Sequence, residues 1–336
     1  MQTNINGPQS KLLASLSLDL DNQWSYMKIH GDPGWESFPS YLDTVVPRFL
    51  SFLDDLDLKI TVFIVGQDAA LTKNQKALRS IALAGHEIGN HSFNHESWLH
   101  LYSPEEIENE LAMAEDHLEN ATGQRPKGFR GPGFSLSKSV LNILAHRGYQ
   151  YDASTFPTFL GPLARAYYFM TTKLTPEEKE QRKALFGGVK DGFQPLKRYQ
   201  WLLSDRRLIE IPVTTMPLFK VPIHFSYILY LACFSPPIAL LYFRIALLLC
   251  RLTRTEPSLL LHPLDFLDLN DVPELAFFPA MKLPTGKKQQ ILRRALTMMK
   301  NQFNVVPMGV HAQAKGRQNG KQGKNPKFGM PIIEMS

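Results

Sequence analysis

Cysteine is almost absent. Cys233 and Cys250 are the only two among 336 residues, and they form no C-x-x-C. That argues against a secreted, disulfide-stapled chain and makes a reduced, cytoplasmic setting the expectation. The start, Met1-Gln2-Thr3-Asn4-Ile5-Asn6, has neither a basic segment nor an apolar one before the first strand-like run. No ordinary secretory signal is expected from it. No internal repeat and no nucleic-acid-binding module stand out, so a nucleic-acid partner is not expected. Tryptophan is scarce, and Trp24, Trp35, Trp98 and Trp201 read as core residues before sugar platforms. Charge is missing from one long run, Phe225 to Phe243, which has the length of a membrane span. Pro236-Pro237 interrupts it, because proline breaks a helix. Two short apolar helices, about 225–234 and 237–251, are expected instead.

What is present is ample apolar material, 44% of the chain, enough for one large core. Charge is unevenly spread. Residues 1–159 hold 12 Lys and Arg against 19 Asp and Glu, whereas residues 160–255 hold 14 against 6. The net charge of +6 therefore does not describe a uniform basic surface. Residues 311–336, polar, basic and Gly-rich, read as a disordered tail.

Chemistry concentrates in three places. Asp19 and Asp21 close the run Leu12 to Leu20, which alternates like a strand. Residues i and i+2 of a strand share a face, so both carboxylates can meet one site. His91 and His95 are four apart, a spacing that on a helical turn stacks the two imidazoles on one side. Two imidazoles and a carboxylate suit a catalytic zinc-type site with one position open to water, and cobalt, nickel or manganese would also fit such ligands. The zinc-protease pattern H-E-x-x-H fails at His86-Glu87, because Asn90 stands at its last place. His86 and Glu87 read as structural, with Glu87 bonding backbone near the histidine turn. The third place is His262, in Leu259-Leu260-Leu261-His262-Pro263.

In order along the chain, these segments resemble the motifs of the polysaccharide deacetylase family, the NodB-type carbohydrate esterases. The aspartate pair is similar to its first motif and His91-Ser92-Phe93-Asn94-His95 to its H-[ST]-x-x-H. Phe129-Arg130-Gly131-Pro132-Gly133, Tyr151-Asp152-Ala153-Ser154-Thr155-Phe156 and Leu260-Leu261-His262 are similar to the remaining three. The likeness covers about residues 12–157 and 256–310. Three departures stand out: the aspartates are spaced rather than adjacent, Gly133 replaces a usual Tyr, and Phe156 replaces a usual Trp.

The resemblance implies an α/β fold, a deformed parallel β/α barrel, TIM-like and seven-stranded, with its site at the C-terminal strand ends. It would fill residues 1–310, interrupted at about 160–255 by a hydrophobic helical insertion. Helices are expected over Asp43–Leu56, Asn74–Ala84, Pro104–Ala121 and Leu136–Arg147. Ser103-Pro104-Glu105-Glu106 is a good helix start.

The resemblance also implies a hydrolase that removes an acetyl or formyl group from an amino sugar, free or lipid-linked. One divalent metal, zinc by preference, would sit on Asp21, His91 and His95. Asp19 would be the base, held by Arg130, although the two aspartates could exchange roles. His262 would be the acid, its ring fixed by Asp152. Gly133 would offer a backbone N–H to the oxyanion, with Pro132 and Leu260 beside the substrate. A non-sugar amide or cyclic ureide hydrolase, or a non-catalytic carbohydrate-binding relative, are the alternatives. The segment 223–251 is open to three readings: burial against the barrel, contact with a membrane surface, or a protein interface.

Overall fold

The structure is a computed structural model that describes residues 11–161, 163, 189–203, 206–314 and 330–334. Among them, ten strands form one sheet. They are β1 (Leu12–Leu20), β2 (Thr61–Ile64), β3 (Glu87–Asn90), β4 (Gly128–Phe129), β5 (Tyr151–Asp152), β6 (Tyr199–Leu202), β7 (Arg207–Glu210), β8 (Ser258–Leu261), β9 (Phe303–Val306) and β10 (Ile332–Glu334). The order is β10-β6-β7-β5-β4-β3-β2-β1-β8, with β9 also on β1. Every pairing is parallel except β6 with β7. Helices intervene between most neighbouring strands, as parallel connections require.

Strand β1 shows how the sequence makes the layers. Leu16, Leu18 and Leu20 join the core under the surrounding helices. The alternate residues Ser15, Ser17 and Asp19 are buried on the other side, among polar partners. Alternation thus places the leucines outward and the polar chemistry inside the curved sheet. Strand β8 repeats this: Leu259 and Leu261 belong to the helix-facing core, and Leu260 does not.

The helices α1 (Gln23–His30), α2 (Leu42–Asp54), α3 (Gly66–Ala70), α4 (Thr72–Leu83), α5 (Pro104–Thr122) and α6 (Lys138–His146) follow in the first half. Four of them lie where the apolar periodicity puts them, within a few residues. Helix α5 begins with a full capping box, in which Ser103 Oγ accepts from Glu106 N and Glu106 accepts from Ser103 N. The two apolar helices also form, as α7 (Phe225–Phe234) and α8 (Pro236–Leu252). Proline occupies the first turn of α8, where no N–H is needed. No described helix is long and apolar enough to cross a membrane. Helices α9 (Thr285–Gln302) and α10 (Met308–Gln313) complete the set.

Two boundaries differ from expectation. The segment 160–255 is more than a helical insertion, because β6 and β7 lie within it and β7 pairs with β5 in the central sheet. The alternation there is short and flanked by charge, which hides it among basic residues. Within residues 311–336, expected to be a disordered tail, α10 runs to Gln313 and β10 adds to β6. Residues 164–188 and 315–329 lie outside the described residues.

Candidate active site

The histidine segment departs from the sequence reading in its backbone. Residues 91–98 are not helical; they are a loop leaving β3, with Ser92 and His95 both at positive φ. A left-handed residue is costly for anything but glycine unless its surroundings impose it. Here they do. Glu110 on α5 accepts from the backbone N–H of Phe93 and of Asn94, each at 2.9 Å. Asn90 Oδ1 accepts from Ser92 N, and the carbonyls of Ser92 and Phe93 receive Gly66 N and Gln67 N at the start of α3. The loop brings the imidazoles together, with ring centres 5.0 Å apart.

Asp21, one residue past β1, faces both. Its Oδ1 lies 2.9 Å from His95 Nε2 and 3.3 Å from His91 Nε2. His91 Nδ1 is 2.7 Å from the carbonyl of Arg130, so that nitrogen donates, and Nε2 is the one turned to Asp21. Burial raises the Asp21 pKa, but the charge of His95 and hydrogen bonds from both imidazoles hold it well below the carboxylate range. Burial lowers His91, and its hydrogen bond to Asp21 with the charge of Asp19 outweighs that. One carboxylate and two imidazoles, with donor atoms within 4.8 Å of one another, fit a divalent cation with bonds of about 2 Å.

Asp19 sits apart from this trio, bonded through Oδ1 to Arg130 Nη1 at 2.6 Å. Both residues are buried. Arg130 follows β4 and is pinned four ways. It donates to Ser17 Oγ at 2.8 Å and through Nε to Ala153 O at 3.0 Å. Its Nη2 approaches Met308 Sδ, and its guanidinium lies 4.5 Å from the centre of the Phe63 ring. The geometry thus separates the two aspartates: Asp21 with the histidines, Asp19 with the arginine.

Pro132 and Gly133 form a short turn after Arg130. Gly133 has φ +58°, and a β-carbon there would come within 3.1 Å of Ser97. That accounts for glycine where the family usually carries tyrosine. Phe156 stacks on Phe134 with ring centres 4.8 Å apart and lies 5.8 Å from His224, so three rings wall one side. Leu260 is fully buried in β8.

His262 is half-buried at the end of β8, but Asp152 does not hold it. The Asp152 carboxylate accepts from Ser154 N and Ser154 Oγ and pairs with the buried Glu210 on β7. Burial raises both carboxyls, and the Asp152 charge raises Glu210 further. Glu210 also accepts from Thr155 N and Trp201 Nε1. The pairing is topological: β7 lies beside β5 with Glu210 in register with Asp152. His262 instead meets Ser226 of α7, whose Oγ lies 3.0 Å from its Nδ1.

Several residues of the site were not foreseen. Ser226, Asp265 and His224 all come from the region around α7 and β8. His224 is buried beside His262, and burial followed by the positive charge of His262 and Arg130 holds its pKa well below the imidazole range. Tyr41 donates to the Asp21 carbonyl. Asp265, three residues after His262, had a readable signal in its spacing. Ser226 had only its polarity at the head of an apolar helix. Glu87, by contrast, does not bond near the histidine turn. It accepts from Tyr151 OH, Thr61 Oγ1 and Gly309 N, at the opposite end of β3.

Comparison with known proteins agrees with this geometry. The family profile described as "Polysaccharide deacetylase" matches residues 32–151. A peptidoglycan deacetylase of Helicobacter pylori is 24% identical over 204 residues, 58% of this chain and 67% of that one. The uncharacterized protein YlxY of Bacillus subtilis is 33% identical over 107 residues, 32% of this chain and 31% of that one. This chain therefore spans only about a third of the length of the latter. Among solved structures, a Mycobacterium smegmatis protein assigned as a polysaccharide deacetylase shares the fold with a TM-score of 0.59. It has 20% identity and 92% coverage of both chains. The ordered motifs, the strand-end placement and these likenesses agree, and residues 32–151 match the polysaccharide deacetylase family.

Proposed function

We propose that this protein is a metal-dependent hydrolase that removes an N-acetyl or N-formyl group from an amino sugar. One observation carries the reading: Asp21, His91 and His95 converge within 4.8 Å beside a second, separate carboxylate bonded to a buried arginine. A cation held by Asp21, His91 and His95, zinc by preference, would polarise the acyl carbonyl and acidify a water. Asp19 accepts the proton of that water. Arg130 occupies its Oδ1, which leaves Oδ2 to take the proton. A backbone N–H at Gly133 faces the oxyanion, and Pro132 and Leu260 border the acyl group. His262 protonates the departing nitrogen from Nε2. The similarity to a peptidoglycan deacetylase favours an N-acetylated glycan as the substrate.

The test is metal content followed by turnover. About one divalent metal per chain, lost in His91→Ala, together with acetate release from N-acetylglucosamine oligomers or peptidoglycan fragments, is the expected result. Absence of metal from the wild type after incubation with zinc or cobalt would sink the reading.

A lipid-linked sugar at the inner face of a cytoplasmic membrane is the second reading, and α8 favours it. Ile238, Leu241, Ile245, Leu248 and Leu252 are all exposed along one helix. Arg244, Arg251 and Arg254 accompany them, and no acidic residue occurs between 225 and 254. An apolar stripe flanked only by cations suits an anionic bilayer surface. Flotation with phosphatidylglycerol vesicles, but not with phosphatidylcholine alone, is the expected outcome; no association with either would remove this reading.

A further inference from the structure

Three groups meet at the end of β8 in a chain of hydrogen bonds. Ser226 Oγ lies 3.0 Å from His262 Nδ1 and 2.9 Å from Asp265 Oδ1. Asp265 Oδ2 accepts from the His262 backbone N–H at 2.9 Å. Asp265 is buried, so its carboxylate depends on these donors rather than on water. A serine hydroxyl has one hydrogen to give. Donated to the carboxylate, where the bond is charge-assisted, it leaves only lone pairs toward the imidazole. His262 Nδ1 must therefore carry a hydrogen, and Nε2 is the nitrogen that exchanges a proton with substrate.

Resting on the deacylase reading, we propose that Ser226 and Asp265 are the positioning residues of His262. They fix its tautomer and set a hydrogen-bonded carboxylate beside its ring in place of Asp152. Proton flow balances. Protonated His262 gives the Nε2 hydrogen to the leaving nitrogen as the C–N bond breaks. It ends neutral, with Nδ1–H still donated to Ser226. The relay also ties the chemistry to α7, so the apolar helix pair holds one wall of the site through Ser226.

The charged and titratable neighbours on each packed element are consistent with this role. His224, at the start of α7, stands with its ring centre 5.8 Å from that of His262 and is held neutral by burial. Lys288 of α9 donates to the carbonyls of Leu264 and Leu267, beside Asp265. Burial, then the charges of Asp21, Tyr41 and Asp265, pushes the phenol of Tyr26 on α1 well up. Burial raises the Asp265 pKa, and the charge of His262 with the hydrogen bonds from the His262 backbone and Ser226 acts against that, toward the carboxylate.

The experiment is ¹⁵N NMR of the histidine rings in the zinc-loaded protein without substrate, with His262 assigned by loss of its signals in His262→Gln. The expected wild-type form is the Nδ1–H tautomer. Asp265→Asn should lower the His262 pKa by about one unit, Ser226→Ala by less, and Ser226→Thr should restore it. Asp152→Asn should leave it in place. In turnover, the alkaline limb of kcat should move to lower pH in Asp265→Asn, because imidazolium is the required form and has lost its anion. An Nε2–H tautomer in the wild type, or a His262 pKa that moves in Asp152→Asn and not in Asp265→Asn, would overturn the relay. The ring measurement needs no turnover, so an inactive wild type would count against the deacylase reading alone. If Asp265→Asn fails to fold, the Ser226→Ala and Ser226→Thr pair decides.

Discussion

The two halves of the site are built in opposite ways. The half around the candidate metal site takes Asp19 from β1 and Asp21 just past it, His91 and His95 from the loop after β3, and Arg130 just past β4. All come from adjacent strands in the acidic first half of the chain. The half around His262 joins that residue, after β8, to Ser226, which lies 36 residues earlier at the head of an apolar helix. The first half is assembled by neighbouring strand ends; the second depends on how a helix pair docks. Local motifs report the first kind of site well. They report the second poorly, because its partner residue owes its place to packing rather than to spacing.

The largest effects should fall on the half around the candidate metal site. Asp19→Asn is expected to cost at least 10²–10⁴-fold in kcat, the range of a lost general base, while metal stays bound. His91→Ala should lose metal and turnover together. Equal metal loss in both variants would erase the division between Asp19 and Asp21. His262→Ala should cost a comparable factor with metal retained, read as turnover beside metal stoichiometry.

Stability comes next. Arg130→Met would leave the Asp19 carboxylate buried without its partner, which typically costs about 3–5 kcal/mol. A denaturant midpoint well below wild type is expected. Asp19→Asn/Arg130→Met together should be less harmful than the sum, since the stranded charge is gone. Additive losses would show that the pair is not coupled.

Surface effects should be smaller. Arg244→Gln with Arg251→Gln should weaken vesicle binding by about 1 kcal/mol per residue near an anionic surface, with little change in turnover of a soluble fragment. An unchanged vesicle isotherm would detach α8 from the membrane reading. Smallest is a pH effect at the far end of the sheet. Burial, then the charge of Lys59, lowers the His86 pKa to about 4 from its ordinary 6.5. The unfolded chain then binds more protons between those values, so stability falls as pH drops through that window. His86→Gln should flatten the dependence between pH 6.5 and 4, measured by thermal melts. An unaltered slope would assign it to other groups.

Much of the fold is legible because its period is plain. Leu12 to Leu20 alternates, Pro104–Thr122 starts at Ser103 with a capping box, and Pro236 must begin a helix rather than interrupt one. Strands β6 and β7 are not legible in the same way. Four residues each, set among basic residues, give too short a pattern to separate from loop. The histidine pair teaches a related lesson. Its spacing of four does bring both imidazoles to Asp21, but a left-handed loop delivers it rather than a helical turn. Glu110, which holds that loop, lies on the next helix.

By itself the sequence determined which groups could do the chemistry and on which strand ends they stand. Alternation in β1 and the ordered motifs bind those groups to the backbone locally. Only the tertiary structure decided which aspartate faces the histidines and what holds His262. It also placed Glu210 beside Asp152. Those outcomes depend on contacts between elements distant along the chain, where burial makes each polar group find whatever partner packing brings within reach.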